Sequence, residues 1–65
     1  MAVAKVIEIL AEGKSIEGAI EDGVKEAKKT VKNIRSVYVE NIQARVKDGE
    51  VKGYRVNCKV TFVID

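Results

Sequence analysis

The sequence has no histidine, no tryptophan and no proline, a single cysteine and only five glycines among 65 residues. Without histidine it lacks the side chain best suited to acid–base work near neutral pH, and no serine stands with a base in a recognisable nucleophilic arrangement. One cysteine, Cys58, allows neither a disulfide nor a cysteine-based metal site. A chain this short buries only about 60% of the surface its unfolded form exposes, and small domains compensate with disulfides, a structural metal or oligomerisation. The first two fit poorly with a lone cysteine and no histidine, so association with further copies is expected. With 46% hydrophobic and 34% charged residues the composition is that of a compact globule, not a disordered tail. The net charge of +2 gives no reason to expect a polyanionic partner such as nucleic acid. No run is long or apolar enough for a membrane span. Met1 to Leu10 lacks the basic, apolar, small-residue order of a signal peptide, which points to the cytoplasm and a reduced, buried Cys58.

What is present is dominated by one stretch. Every second residue from Tyr54 to Ile64 is apolar (Tyr54, Val56, Cys58, Val60, Phe62, Ile64), with Arg55, Asn57, Lys59 and Thr61 among those between. That alternation predicts a strand with one face in a core. Ala2 to Leu10 is rich in valine and isoleucine on both faces and predicts a strand covered on two sides. After a turn over Ala11 to Lys14, Ser15 stands where a helix N-cap belongs. Ile16, Ala19, Ile20, Gly23, Ala27, Val31 and Ile34 then recur at helical spacing, predicting a helix of roughly 20 residues. Glu17, Glu21 and Asp22 lie early and Lys28, Lys29 and Lys32 late, each sign complementing the helix dipole.

Arg35 to Arg45 predicts a further strand, and Asp48-Gly49 a two-residue hairpin turn with positive φ at both positions. With Lys47 opposite Glu50, an unbroken ladder puts Val37 opposite Val60, Val39 opposite Cys58, Ser36 opposite Thr61 and Ile42 opposite Arg55. Ile42, Ala44, Val46 and Val51 then fall on the face away from the helix, near the hairpin tip. The first and second strands run parallel across the helical crossover, so the third fits between them. The fold class is α+β: one domain over residues 1–65, β-α-β-β, with a three-stranded antiparallel sheet of order 1-3-2 partly wrapping one helix.

Three fragments of possible chemistry are weak. Gly13-Lys14-Ser15 sits where a phosphate-binding loop would end, but Glu8 occupies the position of the glycine such a loop requires. Glu40, Asp48 and Glu50 offer oxygens without the spacing of a calcium loop. Lys25, Lys28, Lys29 and Lys32 form a basic helix face with no interleaved aromatics, which reads as a solvated surface.

Lys5-Val6-Ile7-Glu8-Ile9, Ser15 with Ile16-Glu17-Gly18-Ala19-Ile20, Ala27 with Thr30-Val31-Lys32-Asn33-Ile34, Tyr54-Arg55-Val56 and Lys59-Val60-Thr61-Phe62 resemble, in order, the dodecin family. The resemblance implies a non-enzymatic protein that stores or sequesters flavin (FMN or riboflavin) in a hollow homododecameric shell. The family's flavin site uses a tryptophan early in the second strand, stacked on the isoalloxazine, and the glutamine of a Tyr-Gln-Val triplet in the third, bonded to the ring edge. Here those positions fall on Ser36 and Arg55, both expected on the outer face of the sheet. Flavin affinity is therefore expected to be weakened or lost unless Tyr38 or Arg55 compensates. An ion pair between subunits is the preferred use of Arg55. The same departures resemble flavin-less dodecins, some of which bind calcium, so a cation-binding or structural shell is the alternative.

Overall fold

The computed structural model describes residues 3–64, in the order β1 (Val3–Gly13), α1 (Ile16–Ala27), β2 (Ile34–Lys47) and β3 (Glu50–Ile64). The sheet is antiparallel with order β1-β3-β2, as the crossover argument requires. β3 is the central strand, and its alternating row does what its pattern predicts: Val56, Cys58 and Val60 are the largest fully buried side chains. Val56 and Cys58 cluster with Ala11 of β1 and Ala19 of α1, and Ala27 is also buried, so the core is made mostly of small residues. Small side chains let the helix sit close to the sheet. A Cβ added at Gly23 would come within 3.0 Å of Ile9 Cδ1 and 3.2 Å of Ala11 Cβ. Burial also raises the pKa of the Cys58 thiol above its ordinary value, which keeps it protonated.

Ser15 caps α1, its hydroxyl accepting from the Gly18 N–H at 2.9 Å. The helix is shorter than its apolar stripe suggested. The Ala27 carbonyl accepts from Thr30 N at 3.1 Å, Val31 N at 3.0 Å and Thr30 Oγ1 at 3.2 Å, which tightens residues 28–30 into a turn. Asn33 then takes φ 61° and reverses the chain, its carbonyl accepting from Val63 N at 3.1 Å. Ile34, counted in the helical stripe, instead lies in β2 opposite Phe62. Burial in the sheet overrides a helical period that continues in the sequence.

The other boundaries move outward. β1 continues through Gly13, so Ala11 and Glu12 are in the strand and not in a turn, while Ala2, its expected start, lies outside the described residues. In the single chain the second face of β1 is uncovered, with Val6 and Leu10 exposed. Asp48 and Gly49 have φ 53° and 76°, the paired positive values the hairpin turn needs.

The unbroken ladder expected between β2 and β3 is wrong in its middle. Val37 opposite Val60, Val39 opposite Cys58 and Ser36 opposite Thr61 are as expected, but Ile42 faces Val56 and Gln43 faces Arg55. Bulges cause the shift. β3 carries one extra residue between the partners of Arg45 and Val46, and β2 carries one between Val39 and Asn41, so these two offsets act between them and cancel from Val39 to Ser36; a third, an extra β2 residue between Ile34 and Ser36, sets Ile34 opposite Phe62. Directly opposed residues share a face of the sheet. Ile42 and Ala44, opposite Val56 and Tyr54, thus lie on the helix side and not on the outer face, and alternation along β2 carries Val46 and its partner Val51 to the same side.

Candidate functional site

The face of the sheet turned away from α1 is built by alternation along β3: Arg55, Asn57, Lys59 and Thr61 point there. Their partners are Glu12, Leu10, Glu8 and Val6 on β1 and Gln43, Asn41, Tyr38 and Ser36 on β2. Ser36, Tyr38 and Arg55, the three residues singled out from the sequence, therefore share this face, and all three are exposed. They are not together. Ser36 lies opposite Thr61, six residues from Arg55, which is about 20 Å along the strand at roughly 3.3 Å per residue. Tyr38 is one pleat from Ser36 and is 67% exposed.

Two ion-pair groups divide the polar part of the face. Glu12 joins all three strands: Oε1 accepts from Arg45 Nη1 at 2.8 Å, while Oε2 accepts from Arg55 Nε at 2.8 Å and lies 2.7 Å from Nη2. Arg55, chiefly, and Arg45 hold the Glu12 carboxyl below its ordinary value. One carboxylate shared by two guanidiniums leaves this end of the face positive. Within the chain, Arg55 already has a carboxylate partner in Glu12. At the other end Lys59 Nζ lies 3.0 Å from Glu40 Oε1, and Glu40, with Glu8 adding, raises the lysine's pKa. Each is half-exposed and contributes little to stability alone. Their effect is to commit the charged side chains to one another.

Between the two groups stands Asn57, which reads from the sequence only as one of the polar residues alternating with the apolar row. Its Oδ1 is buried and meets no donor, and no other buried side-chain polar atom among the described residues is left unpartnered. Only the fold brings Glu12, Arg45 and Arg55 to one point, since they come from three strands. The glutamate four residues after Glu8 carries no signal of it.

The other fragments stay apart. Glu50 pairs with Lys52 at 2.8 Å and Glu40 with Lys59, and among the described residues no group of three or more His, Cys, Asp or Glu side chains is placed to hold a metal ion. Gly13 closes β1 and Ser15 caps the helix, so Gly13-Lys14-Ser15 is a strand end and a cap. Among the described residues no helix is long and apolar enough to cross a membrane.

These features define a class first: a small α+β module with one helix on one face of a three-stranded antiparallel sheet and a polar, uncovered opposite face. A family model described as Dodecin matches residues 3–65, and the chain belongs to the dodecin family. A crystal structure of an arginine-to-alanine mutant of the T. thermophilus dodecin is 26% identical with a TM-score of 0.92, covering 100% of this chain and 98% of that one. Dodecin from Streptomyces davaonensis is 25% identical with a TM-score of 0.91, covering 98% of this chain and 96% of that one. The dodecin from Streptomyces coelicolor, 20% identical over 98% of this chain and 93% of that one, shares the fold with a TM-score of 0.91. No curated protein matches the chain.

Proposed function

We propose that this chain is a non-enzymatic, cytoplasmic binding and storage protein that assembles as a homododecameric shell, with flavin (FMN or riboflavin) as its ligand class and an affinity weakened by Ser36 and Arg55. The observation that carries this reading is the placement of Ser36 and Arg55 on one uncovered face, about 20 Å apart along the strand. A single ring system does not reach both in one copy, so a pocket of the family's kind has to be completed by residues of a neighbouring copy. The exposed Val6 and Leu10 on the same face support contact with further copies.

The weakening follows from the side chains. A ring stacked on an aromatic side chain gains roughly 1–3 kcal/mol, and serine offers no such plane. Arg55 is tied to Glu12 and presents donors only, whereas a carboxamide both donates and accepts.

Light scattering at micromolar concentration and riboflavin fluorescence titration test the two halves of the reading. A shell-sized particle and weak quenching are expected. Ser36→Trp/Arg55→Gln is expected to assemble unchanged and bind riboflavin at least roughly tenfold more tightly, since 1.4 kcal/mol is a factor of ten. A monomeric mass defeats the assembly. Unchanged fluorescence with the assembled double variant defeats the pocket.

A further inference from the structure

The outer face offers a second arrangement that does not need Ser36 or Arg55. Tyr38 stands opposite Lys59, and Asn57 is the next residue on that face of β3, so Tyr38 and Asn57 are diagonal neighbours across the β2–β3 pair. Such neighbours are about 7–8 Å apart, within reach of an aromatic side chain. Tyr38 is the most exposed aromatic ring of the chain and presents a stacking plane. Asn57 carries the unpartnered Oδ1. On either side of it the charged groups are already committed, Arg55 to Glu12 and Lys59 to Glu40. An acceptor in that position is missing a hydrogen-bond donor, which a ligand N–H supplies. The terminal torsion of asparagine is broad, and rotation about it is the motion that would turn the carbonyl outward to a ligand.

We infer that Tyr38 and Asn57 are the ring-binding pair of this chain, Tyr38 stacking on a planar heterocycle and Asn57 Oδ1 accepting from an imide-type N–H at its edge. The inference rests on the ligand-binding reading above and deepens it by naming the residues that hold the ring. The two contacts then come from a single copy. The carboxamide Nδ2 also donates to the carbonyl beside the imide N–H, giving a two-bond match that selects for imides over rings lacking the N–H. The ligand class is a flat heterocycle with an N–H flanked by carbonyls, a group that flavins and uracils share.

The test compares riboflavin with N3-methylriboflavin, which stacks equally but has no N–H to give. Binding to the assembled wild-type protein is read by riboflavin fluorescence, with circular dichroism and light scattering confirming fold and assembly of each variant. Wild type is expected to prefer riboflavin by about tenfold, the worth of one or two net hydrogen bonds. Asn57→Leu should lose that preference, and Asn57→Asp, which keeps an acceptor, should retain it. Tyr38→Leu should weaken both ligands alike by about tenfold, and Ser36→Ala neither. Uridine and N3-methyluridine, read by calorimetry, separate this inference from the flavin reading. If riboflavin fails to bind but uridine binds with the same preference, abolished by Asn57→Leu, the flavin reading fails and the pair stands. If wild type binds riboflavin and its methyl derivative equally, or binds no imide at all, the pair is overturned.

Discussion

The two ends of β3 live in different surroundings. From Val56 to Val60 the strand passes between β1, β2 and the helix, and every second side chain is fully buried. From Glu50 to Lys52 it runs in a hairpin arm that no helix covers, where Val46 is 64% and Val51 55% exposed although they face each other across the ladder. The overall extents, 51 × 19 × 13 Å, follow from that arm. One strand thus serves as a packed core at one end and as a bare ladder at the other. Hydrophobic burial holds the first. Backbone bonds, the tight turn and the Glu12 clamp at its base hold the second.

The sharpest way to separate the two ends is to put the same charge in each. Val56→Asp buries an unpaired carboxylate among Ala11, Ala19 and Cys58 and is expected to cost about 4 kcal/mol or more, enough to leave the chain unfolded. Val46→Asp, on the arm, should change the chain's own stability by no more than about 0.5 kcal/mol. Far-UV circular dichroism of both variants checks this, and an equal loss of signal would erase the distinction.

A smaller effect comes from an added methyl at the inner end of β1. At Gly13 a Cβ would lie 2.8 Å from Ala19 N and 3.0 Å from its Cα, both backbone atoms of the helix. Gly13→Ala should therefore cost about 1–3 kcal/mol by overpacking. In the arm, Gly49 has open space for a Cβ but φ +76°, so Gly49→Ala should cost about 1–2 kcal/mol through the backbone alone. Urea midpoints compare the two, and a neutral Gly13→Ala would mean that the helix is not seated as closely as described.

The smallest effect is the pH dependence of the clamp. Because Glu12 titrates in the folded chain below the ordinary carboxylate value of 4.5, its contribution is present above that value and is lost as pH falls through the lowered one. Glu12→Gln should remove this part of the acid sensitivity. Thermal midpoints of the two proteins, separated near neutral pH, should converge on acidification. Parallel curves throughout would show that Glu12 is not held by its arginines.

Much of the frame was legible because it rests on local rules. The β3 alternation, the Ser15 cap and the Asp48-Gly49 turn each carry their signal within a few residues, and from them the strand order follows. The helical stripe overshoots the helix because Val31 and Ile34 keep its period while belonging, physically, to the connection after the turn and to a strand. The bulges are silent: an extra residue at position 40 looks the same in the sequence whether it pairs or not, and Ile42 was misplaced for that reason. At the candidate site the residue types at 36, 38 and 55 were legible, but their spacing was not, since it depends on register. Glu12 and Asn57 gained meaning only from what the sheet puts beside them.

The strand order has a kinetic consequence. β2 and β3 are joined by a two-residue turn and zip from there outward, whereas β1 pairs with β3 from Gly13 opposite Tyr54 to Val3 opposite Ile64, across nearly the whole chain. Closing that loop costs entropy before any of its contacts forms, so the hairpin is the part of the sheet able to organise first and β1 the last to join. The core then completes in one late step, because Ala11 and Ile9 arrive with β1. Until then Val56, Cys58 and Val60 are presented on an incomplete sheet, and β1 is the segment that takes them out of water.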